Sequence, residues 1–373
     1  MQQLKQIRLR NWKSIADQTI ELKPLNVIIG ANGAGKSNLI SVIKLMNAMF
    51  AREPGFRIYV AQSGGANSIL HFGNRRSPPA EMELTFNTDT GETKYAANWA
   101  WAAAQDSLIF TDERIEFLRT GHNTPLVKSL GAGHTESKLA EFAQTAGDQT
   151  ARVALQLLRS CRLFHFHDTS ANAAIRDSSF LEANRFLYPD AGNLASMLSL
   201  FEKQHPTAFR RISSAAKQMI PAFDSFLLEP SRLNDKRIFL KWFQRGSDYE
   251  FGPHQLSDGS IRFLALATLF FQPAEFMPLL IAIDEPELGL HPSALEVLAG
   301  MMKSASQHCQ VILATQSSTL LDHFDADDVI VANSQNGAST FHRLSESQLD
   351  SWLDEYSLGE IWEKNVVGGG PYG

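Results

Sequence analysis

The sequence predicts an α/β protein with a mixed, mostly parallel core sheet, an antiparallel β lobe and an inserted helical lobe. Three observations lead to this prediction. Apolar strand-like runs alternate with helical segments over residues 278–344, as in a mostly parallel sheet flanked by helices. Residues 81–110 alternate like strands, whereas residues 135–222 have apolar side chains at helical spacing. No heptad pattern continues over several turns, so we expect no long coiled coil.

The elements follow one another in a regular order. Two short strands are expected within residues 4–22, a third over 25–29, and a helix over about 37–50. Further strands are predicted at 81–86, 94–101, 107–110, 227–229 and 237–243, and helices at 139–159 and 193–204. We therefore divide the chain into an N-terminal part of the core with the β lobe (1–130), an inserted helical lobe (131–225), a C-terminal part of the core (226–345) and a C-terminal helix and tail (346–373).

Composition restricts the class of protein. The 373 residues are 44% hydrophobic and 20% charged, which is ordinary for a globular protein, and the net charge of -6 argues against a surface covered with basic groups. Cys161 and Cys309 are far apart in sequence and lack metal-ligand spacing, so we expect reduced thiols. No apolar run has the length of a membrane span and no signal region is present, which predicts a cytoplasmic protein that is not in a membrane.

A phosphate-binding loop is the strongest motif. Residues 30–37 read GANGAGKS directly after the apolar run 25–29, the pattern of a loop that wraps the phosphates of ATP or GTP. The glycines allow backbone N–H groups to converge on an anion, and the following helix adds the positive end of its dipole. Lys36 provides a positive charge for the β- and γ-phosphates, and the Ser37 hydroxyl can bind Mg²⁺. The residues expected to bind the nucleotide are Gly30, Ala31, Asn32, Gly33, Ala34, Gly35, Lys36, Ser37 and Asn38.

A second motif adds two adjacent carboxylates. The apolar run 279–283 ends in Asp284 and Glu285, which precede a proline. Because side chains alternate along a strand, the two carboxylates serve different purposes. Asp284 is expected to hold Mg²⁺ or its water shell, while Glu285 orients and deprotonates the attacking water, with Lys36 as a further catalytic group. The alternative for this string is an acidic turn that caps a helix.

A small polar loop, LSDGS at 256–260, opens another predicted helix and offers a second anion site. With this loop, the sequence resembles the ABC-type ATPases, P-loop NTPases in which such a signature motif completes the ATP site of the opposite protomer. The resemblance implies that Ser257 and Gly259 contact the γ-phosphate in trans, within a head-to-tail dimer or higher oligomer. Without the resemblance, Ser257 or Asp258 is an ordinary helix cap.

Residues 287–292 (ELGLHP) resemble the loop after the catalytic carboxylates in the RecF/SMC/OLD-like branch of ABC ATPases. The opening run 8–15 (RLRNWKSI) is similar to the N-terminal strand and loop of that branch, which makes Asn11, Lys13 and Ser14 further candidates near the nucleotide.

The family usually has a histidine after the next core strand, where this chain has Gln316. A glutamine can hydrogen-bond a phosphate or orient a water but carries no positive charge, so we expect slow hydrolysis. Gln62 is either a residue that senses Mg²⁺ or part of a surface loop.

Two weaker patterns leave alternatives open. His165, His167 and Asp168 could bind a metal or be polar packing residues. Basic groups on predicted helices could contact DNA or be solvated, so nucleic acid is a possible partner. They are Arg152, Arg159 and Arg162, and separately Arg210, Arg211 and Lys217.

The expected function is therefore that of an ATPase that uses ATP and Mg²⁺ to drive a conformational switch. About 30 residues follow the last predicted core strand near Phe341, too few for the nuclease domain of OLD proteins, so we expect an ATPase with a separately encoded effector, a nuclease or toxin. The resemblance implies a role in DNA maintenance, including DNA repair, or in antiviral (anti-phage) defence. The alternative is a non-catalytic ATP-dependent scaffold that sequesters or positions the effector. A membrane transporter motor is disfavoured by the inserted lobe and the loop 287–292.

Overall fold

Two large sheets and the helices around them form the architecture. The computed structural model describes residues 2–51, 55–73, 78–103 and 106–370. The strands are β1 (Gln3–Trp12), β2 (Ile15–Glu21), β3 (Leu25–Ile29), β4 (Ala80–Thr88), β5 (Gly91–Ala102), β6 (Ser107–Arg119), β7 (Leu126–Gly131), β8 (Cys161–Phe164), β9 (Ser179–Phe180), β10 (Phe223–Leu227), β11 (Pro230–Ser231), β12 (Asn234–Ile238), β13 (Lys241–Gln244), β14 (Glu250–Phe251), β15 (Leu280–Asp284), β16 (Gln310–Thr315), β17 (Val329–Gln335) and β18 (Ala338–Arg343). The helices are α1 (Lys36–Ala51), α2 (Phe56–Gln62), α3 (Leu139–Gln144), α4 (Gln149–Arg159), α5 (Leu194–Gln204), α6 (Pro206–Met219), α7 (Asp258–Phe271), α8 (Ser293–Ala305), α9 (Ser318–Leu321), α10 (Glu346–Leu353) and α11 (Leu358–Glu363).

The core sheet has the order β18-β17-β3-β16-β15-β8. Its strands are parallel except for β18, which pairs antiparallel with β17. Every residue of β3 and β16 is buried, as expected for central strands covered on both faces. The carboxyl ends of β3, β15 and β16 therefore meet at one edge of the sheet, where the phosphate-binding loop begins. The predicted mixed, mostly parallel core is confirmed.

The β lobe is a second sheet with the order β2-β1-β4-β5-β6-β7, and its pairings are antiparallel throughout. Its inner face is rich in large aromatic side chains. Trp99 packs against Trp12, Phe56 and Phe110, with ring centroids 5.5–6.2 Å apart. These rings cover the start of α2, so the lobe is joined to the core by burial of apolar surface rather than by a flexible linker.

Alternation along the core strands divides the interior into two apolar clusters. Val27, Ile281 and Leu313 face a cluster formed with α5, α6, α7 and α8. Their neighbours Ile28, Ala282 and Ile312 face the other side, where α1, α4 and the β lobe cover them. A shift of one residue in any core strand would exchange these two faces, so the register is strongly specified.

The segment expected to be helical contains more than helices. It includes β8, the edge strand of the core sheet next to β15. The expected helix 139–159 is divided into α3 and α4, because Gly147 has a positive φ of 85° and Asp148 then caps α4 by accepting from the Ala151 amide. The expected strand pair becomes β10 and β13, and Arg237 belongs to β12 instead. No helix among the described residues is long and apolar enough to cross a bilayer.

Candidate nucleotide site

The phosphate-binding loop joins β3 to α1 at the carboxyl edge of the core sheet. Gly33 and Gly35 have positive φ values of 79° and 106°, which strain any other residue. A Cβ on Gly35 would lie 2.1 Å from the Ser339 Oγ, so space also requires glycine there. These features turn the backbone into a concave loop at a helix N-terminus, the arrangement that binds phosphate.

Lys36 begins α1 and lies over this loop. It is only 5% exposed, and its ammonium donates hydrogen bonds to the carbonyls of Gly30 (2.6 Å) and Ala31 (3.1 Å). Burial lowers the pKa of Lys36, while the carboxylates of Asp284, Glu285 and Glu287 act in the opposite direction. The positive charge is thus held inside the loop and balanced by the acidic groups at the strand end next to it.

Ser37 and Asp284 form the pair expected for a magnesium site. The Ser37 hydroxyl donates to Asp284 Oδ2 at 3.0 Å. The other carboxylate oxygen of Asp284, Oδ1, is buried and has no hydrogen-bond partner among the described residues. Burial raises the pKa of Asp284, against the effects of the Ser37 hydrogen bond and of nearby His167. A hydroxyl, a carboxylate and an unsatisfied buried oxygen are the donor set that suits Mg²⁺, so the residues present fit that ion.

Glu285 and Gln316 lie next to each other. Gln316 Nε2 donates to Glu285 Oε1, and the Glu285 amide donates to the Ala314 carbonyl at 2.8 Å. Glu285 has a positive φ of 45°, a conformation that costs energy for a non-glycine residue. The backbone therefore turns immediately after β15, which separates the direction of Glu285 from that of Asp284.

A third acidic residue, Glu287, was not among the sequence-predicted site residues. Its Oε1 accepts hydrogen bonds from the Thr315 hydroxyl and, at 3.3 Å, from the Gln316 amide. Its Oε2 is buried without a partner among the described residues, and burial raises the pKa of Glu287. The sequence signal for Glu287 was a third acidic residue, directly after Pro286. Its carboxylate matters because its hydrogen bonds fix the end of β16, where Gln316 follows.

The turn between β1 and β2 borders the loop, as expected for Ser14. The Ser14 Oγ accepts from Asn38 Nδ2 at 2.7 Å and lies 2.6 Å from the Ser339 Oγ. Asn11 and Lys13 both have positive φ values, 54° and 49°, which shape this turn. Asn38 is therefore occupied in holding the turn, while Asn32 is exposed at the tip of the loop.

The signature loop lies at a separate cleft. Ser257 caps α7 by accepting from the Ser260 amide at 3.1 Å, and a Cβ on Gly259 would lie 2.4 Å from the Gly289 carbonyl oxygen. This cleft of about 650 Å³ is lined by the signature loop, by residues 289–291 and 293–294, and by the end of α6. The structure describes all of residues 30–37, and none of them lines this cleft. The phosphate-binding loop and the signature loop of one chain therefore do not line a common cleft here.

Two buried arginines hold the signature region in place. Arg176 donates to Asp258 Oδ1 at 2.7 Å and to the carbonyl of Leu256 at 3.1 Å. Arg262, on α7, donates to the carbonyls of His167 (2.9 Å) and Leu288. Arg262 thus joins the signature helix to the loop after β15 and to the loop after β8. Its sequence signal was a single arginine inside the apolar helical run 261–271.

The sequence did not indicate that His167 lies near the nucleotide site. It follows β8, which runs parallel to β15 in the core sheet, so it emerges at the edge that holds Asp284. The rings of His165 and His167 are 6.3 Å apart, and no group of three or more potential metal ligands exists among the described His, Cys, Asp and Glu residues. Gln62 is exposed at the end of α2. The loop after β8 therefore brings His167 near Asp284.

The C-terminal segment also contacts the phosphate-binding loop. The Ala31 amide donates to the Gly369 carbonyl at 2.9 Å, and the Trp362 indole nitrogen donates to the same carbonyl at 2.8 Å. A Cβ on Gly369 would lie 2.6 Å from the Ala332 carbonyl oxygen. The chain after α11 therefore returns to the nucleotide edge of the core sheet.

Comparisons with known proteins bear on the family and the fold of the chain. The profile of the family described as "AAA domain, putative AbiEii toxin, Type IV TA system" matches residues 25–322. An OLD nuclease from Thermus scotoductus is 23% identical over 95% of this chain and 67% of its own length. An SMC head bound to the C-terminal winged-helix domain of ScpA has a TM-score of 0.61 and 15% identity, with 94% of this chain and 99% of that chain covered. An SMC head with an extended coiled coil, derived from Pyrococcus furiosus, has a TM-score of 0.55 and 16% identity over 95% of this chain and 99% of that chain. These structural likenesses concern the fold alone.

Proposed function

The chain belongs to the AAA-domain family whose profile matches residues 25–322, and we propose that it binds ATP with Mg²⁺ and hydrolyses the ATP slowly. It is an ABC-type ATPase of the RecF/SMC/OLD-like kind by motif and fold. The observation that carries the proposal is the convergence of Lys36, the Ser37–Asp284 pair and the Gln316–Glu285 pair at one edge of the core sheet.

The roles of the residues follow from their positions. Backbone amides of the loop and the Lys36 ammonium would bind the β- and γ-phosphates. Ser37 and Asp284 would hold Mg²⁺, which neutralises phosphate charge when bound. Glu285 would orient the attacking water and accept its proton. Gln316 would position Glu285 through the hydrogen bond between them, without adding the positive charge that a histidine supplies.

Replacing the proposed base tests the activity. Glu285→Gln keeps the side-chain size but removes the proton acceptor, so turnover should fall by about 100-fold or more, the usual worth of a general base. ATP binding should remain close to that of the wild type. The matched control is Glu296→Gln, an exposed glutamate on α8. Equal turnover in the wild type and Glu285→Gln would contradict the proposed hydrolysis.

The hydrogen bond from Gln316 to Glu285 also supports a second candidate function. Gln316 occupies one carboxylate oxygen of the proposed base, which suits an ATP-dependent scaffold with negligible turnover. In that case ATP would change the binding of a partner, and the Glu285→Gln variant would behave like the wild type. Measuring phosphate release by both proteins distinguishes the two candidates.

We further propose that two chains form a head-to-tail dimer in which each signature loop completes the partner's ATP site. Support comes from the two loops, which do not line a common cleft within one chain. A mixture of two inactive variants tests this. Lys36→Ala disables the phosphate-binding loop, and Gly259→Val disables the signature, because its side chain would collide with the Gly289 carbonyl. A mixed dimer contains one intact composite site, so mixing should restore turnover; no recovery would exclude a shared site.

The proposed biological role is a switch that acts with a separately encoded effector, a nuclease or toxin, in DNA maintenance or antiviral defence. Support comes from the family description, which names a putative toxin of a toxin–antitoxin system, and from the similarity to an OLD nuclease. Affinity capture of the native complex, with and without ATP, tests the role. Capture of the chain alone under both conditions would contradict it.

A further inference from the structure

A second feature lies away from the nucleotide edge, where α4 leads into the first residues of β8. Arg152 and Arg159 are exposed on α4, and Arg162 is the second residue of β8. The three arginines line a cleft of about 440 Å³, and Arg159 and Arg162 also line an adjoining cleft of about 450 Å³. Among the described residues, neither lining contains a carboxylate. We name the two joined clefts the arginine groove.

The arginines of the groove form no salt bridge within the described part of the chain, although the Asp148 carboxylate, which is paired with Lys128, lies near Arg152. The Arg159 Nε donates to a neutral group, the Phe50 carbonyl, at 2.7 Å. Arg114 on β6 shows the opposite arrangement. Its guanidinium contacts the carboxylates of Asp112, Glu116 and Glu83 at 2.5–3.2 Å. In a protein with a net charge of -6, three unpaired arginines in one groove favour an anionic ligand.

Aromatic side chains lie beside the cations. The Arg162 guanidinium is 3.9 Å from the centre of the Phe186 ring, and the Phe186 and Tyr188 rings are 5.7 Å apart. Both rings remain exposed, by 38% and 39%. Burial lowers the pKa of Arg162, which is the cost of holding a partly buried cation without a carboxylate. Cations that track a phosphate backbone next to exposed rings that stack on bases are the two components of a single-strand binding surface.

From these contacts we propose that the arginine groove binds single-stranded nucleic acid, with phosphates at Arg152, Arg159 and Arg162 and a base at Phe186. A duplex holds its bases inside the stack and cannot use the aromatic contact, which is why a single strand is favoured. The C-terminal half of α1, through Met46, Asn47 and Phe50, forms one wall of the groove. The same helix starts at Lys36, so the groove and the ATP site share a rigid element. The proposal does not depend on ATP hydrolysis.

Fluorescence anisotropy with a labelled oligothymidylate of about 16 nucleotides tests the proposal on the full chain without added nucleotide. The variant Arg152→Gln/Arg159→Gln should bind at least about tenfold more weakly, and its salt dependence (log affinity against log salt) should lose about 1.4 in slope, because two phosphate contacts are removed. Phe186→Ala should weaken binding by roughly fivefold or more without changing that slope. A single-stranded RNA of equal length distinguishes the sugar preference.

The matched control is Arg210→Gln/Lys217→Gln, which removes the same charge from the exposed face of α6. Its affinity should equal that of the wild type, and melting curves of all variants exclude loss of folding as the cause. Three outcomes would overturn the proposal: no binding by the wild type, equal loss in the control, or binding of duplex DNA or polyglutamate as tightly as the single strand. Because no step uses ATP, failure of this test leaves the proposed ATPase function unaffected.

Discussion

The phosphate-binding loop and the signature loop both lead into a helix N-terminus, but they differ in the groups that surround them. At the phosphate-binding loop, Lys36, Asp284 and Glu285 lie within one electrostatic cluster, and hydrogen bonds connect Ser37 to Asp284 and Gln316 to Glu285. At the signature loop, Ser257 is used as a helix cap, and the described residues that line its cleft include no lysine or arginine.

The difference between the two loops follows from their positions in the fold. Charged groups meet at the nucleotide edge because parallel strands β3, β15 and β16 end there together. The signature loop is carried by α7, and Arg262 holds that helix to the loops after β8 and β15. Under the proposed shared site, the phosphate-binding half would supply the charged groups, and the signature half would supply a polar surface that contacts a phosphate bound to the partner chain.

The largest expected effect comes from removing the charge at the phosphate-binding half. Lys36→Ala should weaken ATP binding by about 100-fold, because a buried cation that contacts phosphate is worth about 3 kcal/mol. Isothermal titration with ATP and Mg²⁺ measures this. Lys44→Ala, which removes an exposed lysine from the same helix, is the control and should bind like the wild type. Unchanged affinity in Lys36→Ala would remove the distinction between the two halves.

A pH-dependent effect of intermediate size is expected at Glu287. Burial raises the pKa of Glu287 in the folded protein above the ordinary value of 4.5. The protonated side chain therefore contributes fully to stability below pH 4.5, and this contribution is lost as the pH rises through the folded pKa. Glu287→Gln cannot ionise and should avoid this loss. The Tm of the variant, relative to the wild type, should therefore increase as the pH rises above 4.5. A difference in Tm that is constant with pH would show that Glu287 is not held in a desolvated site.

The smallest effect on stability is expected at the signature half. Ser257→Ala removes the N-cap of α7 and should cost about 1 kcal/mol. Ser357→Ala, which removes the N-cap of α11, should cost a similar amount. The proposed shared site predicts that only Ser257→Ala also lowers ATP turnover and dimer formation, measured by phosphate release and light scattering. Equal turnover in the two variants would show that Ser257 is only a helix cap.

Much of the architecture was accessible from sequence. The resemblance to the RecF/SMC/OLD-like branch and the fold class are confirmed, because GANGAGKS and the apolar run before Asp284 are local patterns with a strict chemical purpose. The expected ATP and Mg²⁺ sites, the dimer and the effector remain predictions. The errors occurred where neighbours in space decide the outcome. β8 is too short to show strand periodicity within a helical segment, and it is a strand because it pairs with β15.

The sequence by itself determined the residue types of the nucleotide site, since each glycine, lysine, serine and carboxylate is required by local backbone geometry or by charge. Only the tertiary structure decided which distant groups join them. It placed Gln316 against Glu285, His167 near Asp284, and Gly369 against Ala31. The reason is physical: strand order and parallel pairing determine which strand ends share an edge, and these depend on burial across the whole core rather than on any short run of residues.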